Sequence, residues 1–326
     1  MADKLDYQNR RLLLLRLLDY RNATKQNLVQ WTGLSNTTVS DTINAMLKTG
    51  FVHTDGMQKS IGGRRSVIYS INGRYGQFAG IELYAQGVRM ALCDAEGHIE
   101  KTFHVQRLPQ ELPIALLYRA IDMLLEQPEA SNVLALGIGI EGEIDHSTQT
   151  VLKSDTLGWQ NVPLKEIVER RIYLPVFIDS AVNGQVSLRK YTEGERCPAH
   201  FMVINGQFPS KAALCIDGHL CRGQGSRCGS AAGFSALAGQ AAHTLHTLGL
   251  EKVWVACRCE AQMKEAERLL CPCSSADICI HLAGPEELAW GMALFIVARR
   301  TLSALRCKAA VFVRGAPPPN FSIKHQ

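Results

Sequence analysis

Thr32-Gly33-Leu34-Ser35-Asn36-Thr37-Thr38-Val39-Ser40-Asp41-Thr42-Ile43-Asn44-Ala45-Met46-Leu47-Lys48 is the stretch that decides how the start of the chain folds. Gly33 accepts the positive φ of a sharp helix–helix corner, and the Ser35 hydroxyl can take a free backbone N–H at a helix start. The helix that follows, 36–48, ends before Gly50 and puts Val39, Ile43, Met46 and Leu47 on one apolar stripe. Its other face carries Asn36, Thr37, Thr38, Ser40, Asp41 and Asn44. A helix that buries one side and offers short hydrogen-bonding side chains on the other suits the major groove of DNA. There Asn, Ser and Thr meet base edges and phosphate oxygens.

Upstream, Tyr7 to Tyr20 reads as an amphipathic helix with Leu14, Leu17 and Leu18 on one face, and Thr24 caps a short helix running to Trp31. Downstream, strands at 50–53 and 66–71 flank a loop holding Lys59 and Gly62-Gly63-Arg64-Arg65. The glycines let backbone approach closely, while the arginines can neutralise phosphates or enter a narrow A·T-rich minor groove. The ordered set predicts a winged helix-turn-helix over residues 1–75. Ser35, Asn36, Thr37, Thr38, Ser40, Asp41 and Asn44 are the expected reading face, with Lys59, Arg64 and Arg65 as anchors on a double-stranded DNA operator. A helical domain for protein contacts is the competing reading, and it leaves the Gly-Gly-Arg-Arg loop without a purpose.

Charge follows the same division. Residues 1–75 hold 11 Lys/Arg against 5 Asp and no Glu, whereas the remainder holds 24 basic and 25 acidic residues. The basic excess therefore sits where a phosphate-seeking module needs it. The Leu-rich run Leu12 to Leu18 is interrupted by Arg16 and is shorter than the ~20 apolar residues a bilayer requires. No small-residue cleavage site follows it, so no membrane insertion is expected, and the chain is expected in the cytoplasm with its eleven cysteines mostly reduced.

Beyond Gly76 strands alternate with helices, as an α/β fold requires. Phe78–Leu83 and Val88–Asp94 read as a hairpin pair, a helix begins near Pro113, and Val133–Ile140 is an apolar run typical of a strand buried on both faces. Pro175–Asp179 is another strand. A second round starts at Phe201–Ile204 and Ala212–Ile216, then continues with a helix 286–306 and a strand 309–313. Two such rounds predict two similar lobes, 76–200 and 201–315, with a loose Pro-rich tail at 316–326.

The wing Gly62-Gly63-Arg64-Arg65, the run Gly137-Ile138-Gly139-Ile140-Glu141-Gly142-Glu143-Ile144-Asp145, then Leu157-Gly158-Trp159 and Pro175-Val176-Phe177 together resemble the ROK family (repressor, open reading frame, kinase). Within it the chain is similar to sugar-operon repressors of the xylose and N-acetylglucosamine type. The resemblance implies a winged helix-turn-helix followed by a two-lobed sugar-kinase/actin-like (RNase H-like) domain, here with its second lobe shortened. A single module buries little DNA surface and two-fold symmetry doubles the contacts, so a homodimer or higher homo-oligomer is expected, with a sugar, sugar-phosphate or protein as effector.

The family's kinase chemistry is missing at the matching positions. The first phosphate loop has become Glu82-Leu83-Tyr84-Ala85-Gln86, and the second Gln207-Phe208-Pro209-Ser210-Lys211. The catalytic Asp has become Ala181, which cannot carry a proton. Of the sugar contacts, the expected Asn is Thr156, and the expected Glu and His fall at Phe234 and Leu237. A regulator without kinase activity is therefore expected; a sugar kinase with a DNA-binding appendage is the alternative. Glu141, Thr156, Trp159, Ser180 and Asn183 are the candidate effector pocket. The family's zinc site has no full counterpart: Cys257-Arg258-Cys259, Cys271-Pro272-Cys273, Cys279 and His281 read more readily as reduced thiols and a structural His than as a rearranged zinc site. No cofactor is expected.

Overall fold

In the computed structural model, residues 2–57, 65–206, 211–222, 247–257, 259–270, 277–284 and 287–304 are described. Three helices open the chain: α1 (Ala2–Tyr20), α2 (Lys25–Thr32) and α3 (Asn36–Lys48). Thr24 and Asn27 cap α2 reciprocally, the Thr24 N–H donating to Asn27 Oδ1 (2.9 Å) and the Asn27 N–H to Thr24 Oγ1 (3.2 Å). Gly33 takes φ 68° at the corner, and Ser35 Oγ accepts the Thr38 N–H at 3.1 Å to start α3. Val39, Ile43 and Met46 are fully buried as the periodicity predicts, and Thr42 joins them at 4 % exposure while Leu47 is only half-buried.

The helices pack on a three-stranded antiparallel sheet, β1 (Asn22–Thr24), β3 (Val67–Ile71), β2 (Val52–Met57), in that order. β2 starts two residues later than the sequence implies, because Gly50 (φ 74°) is still turning the chain off α3. Three-residue β1 is too short to show an alternating pattern. The positive φ of Arg21 (66°) swings it alongside β3.

Two five-stranded sheets form the rest. The first has the order β11 (Val176–Ser180), β7 (Val133–Ile140), β4 (Gln77–Tyr84), β5 (Gly87–Asp94), β6 (Ile99–Gln106). The second has β14 (His219–Cys221), β13 (Lys211–Ile216), β12 (Phe201–Asn205), β15 (Lys252–Cys257), β16 (Asp277–Leu282). Each is built the same way: the first strand pairs antiparallel with a hairpin partner on one side and parallel with a later strand on the other. The predicted repetition of hairpin and βα units is thus a repetition of topology. A small sheet of β8 (Glu143–Asp145), β9 (Thr150–Ser154) and β10 (Trp159–Val162) packs Ile144, Val151 and Trp159 into the core of the first five-stranded sheet.

The described helices of this region are α4 (Pro113–Leu125), α5 (Leu164–Ile172), α6 (Ala181–Glu193), α7 (Glu260–Leu270) and α8 (Glu287–Ala304). Helix α8 lies so close on the first sheet that a Cβ on Gly80 would stand 1.8 Å from the Ala289 carbonyl oxygen. Gly137 and Gly139 in β7 leave room for Ile296 and Met292 of the same helix. Their place in the sequence motif is thus a packing requirement. The expected strand 309–313 and the tail 316–326 lie outside the described residues. Among those described, no helix is long and apolar enough to cross a membrane.

One buried apolar cluster ignores the expected boundary near residue 75. Leu13, Leu14, Leu17, Val39, Ile43, Phe51 and Ile71 pack in a single group with Phe78, Ala135, Met292, Phe295 and Ile296.

Candidate functional site

On α3, Ser35, Asn36, Thr37, Asp41 and Asn44 are exposed, and Thr38 and Ser40 half-buried. The Ser35 and Thr38 hydroxyls lie 2.9 Å apart, so both are already engaged in starting the helix. Asn36, Thr37, Asp41 and Asn44 are left to present side chains outward. Arg65 is exposed at the return of the hairpin into β3, whereas Lys59 and Arg64 lie outside the described residues.

The second candidate site lies between the lobes and centres on a residue that sequence reasoning passed over. Asp179, the penultimate residue of β11, has its side chain fully buried. Its Oδ1 accepts from the Ser180 N–H (2.8 Å) and Asn183 Nδ2 (2.7 Å). Its Oδ2 accepts from Arg222 Nε (3.2 Å) and Nη2 (3.0 Å), and His146 Nε2 stands 3.9 Å away. All the ready lone pairs of this carboxylate are in use, and a charge-assisted pair to Arg stabilises it further. Two residues on, Ala181 begins α6 and is 8 % exposed. A buried charge at the end of an apolar strand, Phe177-Ile178-Asp179, was the available sequence signal. Arg222 gave none, being distant in sequence and in a divergent region.

Glu141 and Thr156 do share a cleft of about 150 Å³, with Glu143, Lys153, Asp155 and Lys211. Desolvation by burial is the largest influence on Glu141 and pushes it up to about 7; Lys211 opposes this and Glu82 adds to it. Burial lowers Lys211, while Glu141 and Glu143 pull it back up. Lys211 Nζ donates to the Gly142 carbonyl at 2.9 Å, so a residue from the second sheet closes this cleft against the first lobe. Ser180 and Asn183 are buried beside Asp179, and Trp159 is buried in the first-lobe core at 9 % exposure. The five candidates thus divide between a cleft, a buried polar centre and the core.

Where a phosphate loop would sit, β4 and β5 are joined by a turn of only two residues, Ala85 and Gln86. Glu82, 2 % exposed, is paired across the hairpin with Arg89 Nη1 at 2.9 Å. Residues 207–210 of the second loop, and Phe234 and Leu237, lie outside the described residues. Of the thiol candidates, burial pushes Cys257 up to about 11, Cys259 is exposed, and Cys279 packs beside Phe201 and Trp254. His281 Nε2 lies 3.0 Å from Arg189 Nη2 and 3.3 Å from Glu287, which commits it to the junction of α6, β16 and α8. Cys271 and Cys273 lie outside the described residues.

Paired five-stranded sheets with helices between them define the sugar-kinase class of α/β fold. The ROK family profile matches residues 78–309, and the chain belongs to that family. It is 30% identical over 241 residues to the xylose repressor of Caldicellulosiruptor bescii, covering 72% of this chain and 58% of that protein. It is 26% identical over 219 residues to the xylose repressor of Bacillus subtilis, covering 66% and 57%. The chain thus spans little more than half the length of these curated relatives. Among solved structures, it superposes on a ROK family transcriptional regulator described as a homolog of the Escherichia coli MLC protein with TM-score 0.68 at 11% identity, covering 92% of this chain and 99% of that one. A ROK family glucokinase from Streptomyces griseus, solved with glucose and AMPPNP, gives TM-score 0.57 at 16% identity over 67% of this chain and 98% of its own.

Proposed function

We propose that the chain is a sequence-specific DNA-binding transcriptional repressor of the ROK type, without kinase activity. The observation that carries this reading is the capped corner from α2 into α3. It holds Asn36, Thr37, Asp41 and Asn44 exposed on a helix whose opposite side buries Val39, Ile43 and Met46. With the three-stranded sheet and its Arg-bearing hairpin, residues 1–75 are a winged helix-turn-helix, α3 entering the major groove and Arg64 and Arg65 reaching phosphate or minor groove. The relatives named xylose repressors support the regulatory assignment.

Residues 76–200 and 201–315 are the two lobes, the second shortened. They pair two chains so that two reading helices meet a palindromic operator, and they accept a sugar, sugar-phosphate or protein effector, a small one at the cleft of Glu141 and Thr156. Against kinase activity stand Ala181 in place of the base, the two-residue turn at Ala85-Gln86, and an Asp179 carboxylate held by four hydrogen bonds. A coupled assay of ATP-dependent phosphorylation over several hexoses and pentoses should show no turnover; turnover would reinstate the enzyme.

The DNA reading is tested by mapping bound sites genome-wide and then titrating the recovered operator. Arg64→Ala with Arg65→Ala is expected to weaken binding to every sequence and to lower the salt slope by up to about two. Asn44→Ala is expected to cost about 1–3 kcal/mol and to relax preference at one base pair. Unchanged affinity in both variants would remove the wing and α3 from the interface.

A further inference from the structure

The turn 94–98, between β5 and β6, abuts the junction of the N-terminal module with the first sheet. There the Ala95 N–H donates to the Gly73 carbonyl at 3.3 Å. Three donor groups converge on this turn. His98 Nδ1 lies 3.2 Å from Asp94 Oδ2 and 3.5 Å from Glu96 Oε2, and ligand atoms of all three residues fall within 4.8 Å of one another. Each carboxylate is aimed by its other oxygen. Asp94 Oδ1 accepts the His98 N–H at 2.9 Å, and Glu96 Oε1 accepts the Gly73 N–H at 3.3 Å. Donors bound tetrahedrally to one zinc-sized cation at ~2.1 Å stand about 3.4 Å apart. The two measured contacts bracket that separation.

A separate observation points to the same place. Tyr191, on α6, is 6 % exposed, and its hydroxyl is buried without a hydrogen-bond partner. It lines, together with Glu96, His98, His53 and Arg21, a cavity of about 370 Å³. Its ring edge packs on the same turn: a Cβ on Gly97, the residue between Glu96 and His98, would stand 3.0 Å from Tyr191 Cε2 and 3.3 Å from Cζ. A buried hydroxyl with no partner costs about 1–3 kcal/mol, which a water held on a nearby cation would relieve.

We propose that Asp94, Glu96 and His98 bind one divalent transition cation of the zinc class, with a water completing its shell toward Tyr191. Two carboxylates and an imidazole select such a cation over magnesium or calcium, which take oxygen donors. Because Glu96 also holds Gly73, loading the site fastens the segment that joins the N-terminal module to the first lobe. The site stands whether or not that module binds DNA.

The full chain, stripped with a chelator, is titrated with zinc chloride and in parallel with magnesium chloride by calorimetry, followed by metal analysis. The eleven cysteines can take zinc elsewhere, so the difference between proteins carries the answer. Wild type is expected to hold one zinc equivalent more than His98→Ala or the volume-conserving Glu96→Gln, and to show no magnesium heat. Tyr191→Phe is expected to weaken that equivalent at least ~10-fold through loss of the outer-shell contact. Cobalt(II) in wild type minus His98→Ala should give visible bands free of thiolate charge transfer. Equal zinc stoichiometry and affinity in wild type, His98→Ala and Glu96→Gln would overturn the proposal, as would a thiolate signature in the cobalt difference spectrum.

Discussion

Ser35 and Glu141 show how single residues serve opposite ends in this protein. Ser35 Oγ satisfies a backbone N–H that helix geometry leaves free. Ser35→Ala should lower stability by about 1 kcal/mol in denaturant unfolding. Ser35→Gly should lose only a few tenths, because glycine leaves the helix end open to water. Glu141 does the reverse and is held at a cost. Its folded-state pKa, raised to about 7, lies above the unfolded value, so the folded state resists ionisation. Below the unfolded carboxylate range both states are protonated and no penalty exists; as pH climbs toward 7 the penalty grows, and above that it is constant. Glu141→Gln should therefore stabilise the chain at pH 8, by about 1–2 kcal/mol after allowance for solvent screening, and be neutral near pH 4. A variant equally stabilised at both values would show that desolvation is not the cause. The exposed and buried faces of α3 were legible at this scale, since periodicity and capping are local. The Asp179–Arg222 pair was not, because it joins residues brought together only by the docking of two lobes.

The crossing of α6 and α8 illustrates what elements impose on each other. A Cβ on Gly291 would stand 2.6 Å from the Gly184 carbonyl oxygen, and one on Gly184 would stand 2.8 Å from the Gly291 carbonyl carbon and the Met292 nitrogen. The obstructing atoms are backbone, which cannot swing aside as a side chain can. Gly291→Ala should cost at least about 2 kcal/mol by denaturant midpoint, toward the upper part of the range for overpacked interiors. A cost under about half of that would mean the helices separate freely. Element order and type were largely readable: β7 matched its apolar run to the residue, and α3 its caps. The misses have different causes. Strand β1 and the β8–β10 sheet are three to five residues long, too short for a periodic signature, whereas β6 alternates weakly at Phe103 and Val105 and β15 is a buried apolar run, Val253 to Cys257, and both went unread.

At the scale of the whole molecule, composition and connectivity diverge. Charge and local pattern divide the chain near residue 75, yet α1 packs against α8, and one apolar cluster holds Leu13 and Ile43 with Phe78 and Met292. The N-terminal module and first lobe should therefore melt in one transition. Hydrogen exchange should give Ile43 and Leu136 amides protection within about 1 kcal/mol of each other under native conditions. Exchange of Ile43 at a far lower opening free energy would establish an autonomous module. The duplicated sheet order, five strands twice in the same arrangement, was foreseen as repetition, although the pairing that makes both sheets alike appears only in three dimensions.

That common cluster also bears on how such chains can be recombined. A reading module attached by a free linker can be traded between relatives as a cassette, its specificity travelling with it. Here the trade would carry a geometric debt. The incoming first helix would have to match Phe78, Ala135, Phe295 and Ile296 as closely as Leu13, Leu14 and Leu17 do. On the proposed DNA-binding function, new operator preferences are thus more readily reached by substitution at the exposed Asn36, Thr37, Asp41 and Asn44, which are not members of that cluster, than by exchange of the whole segment.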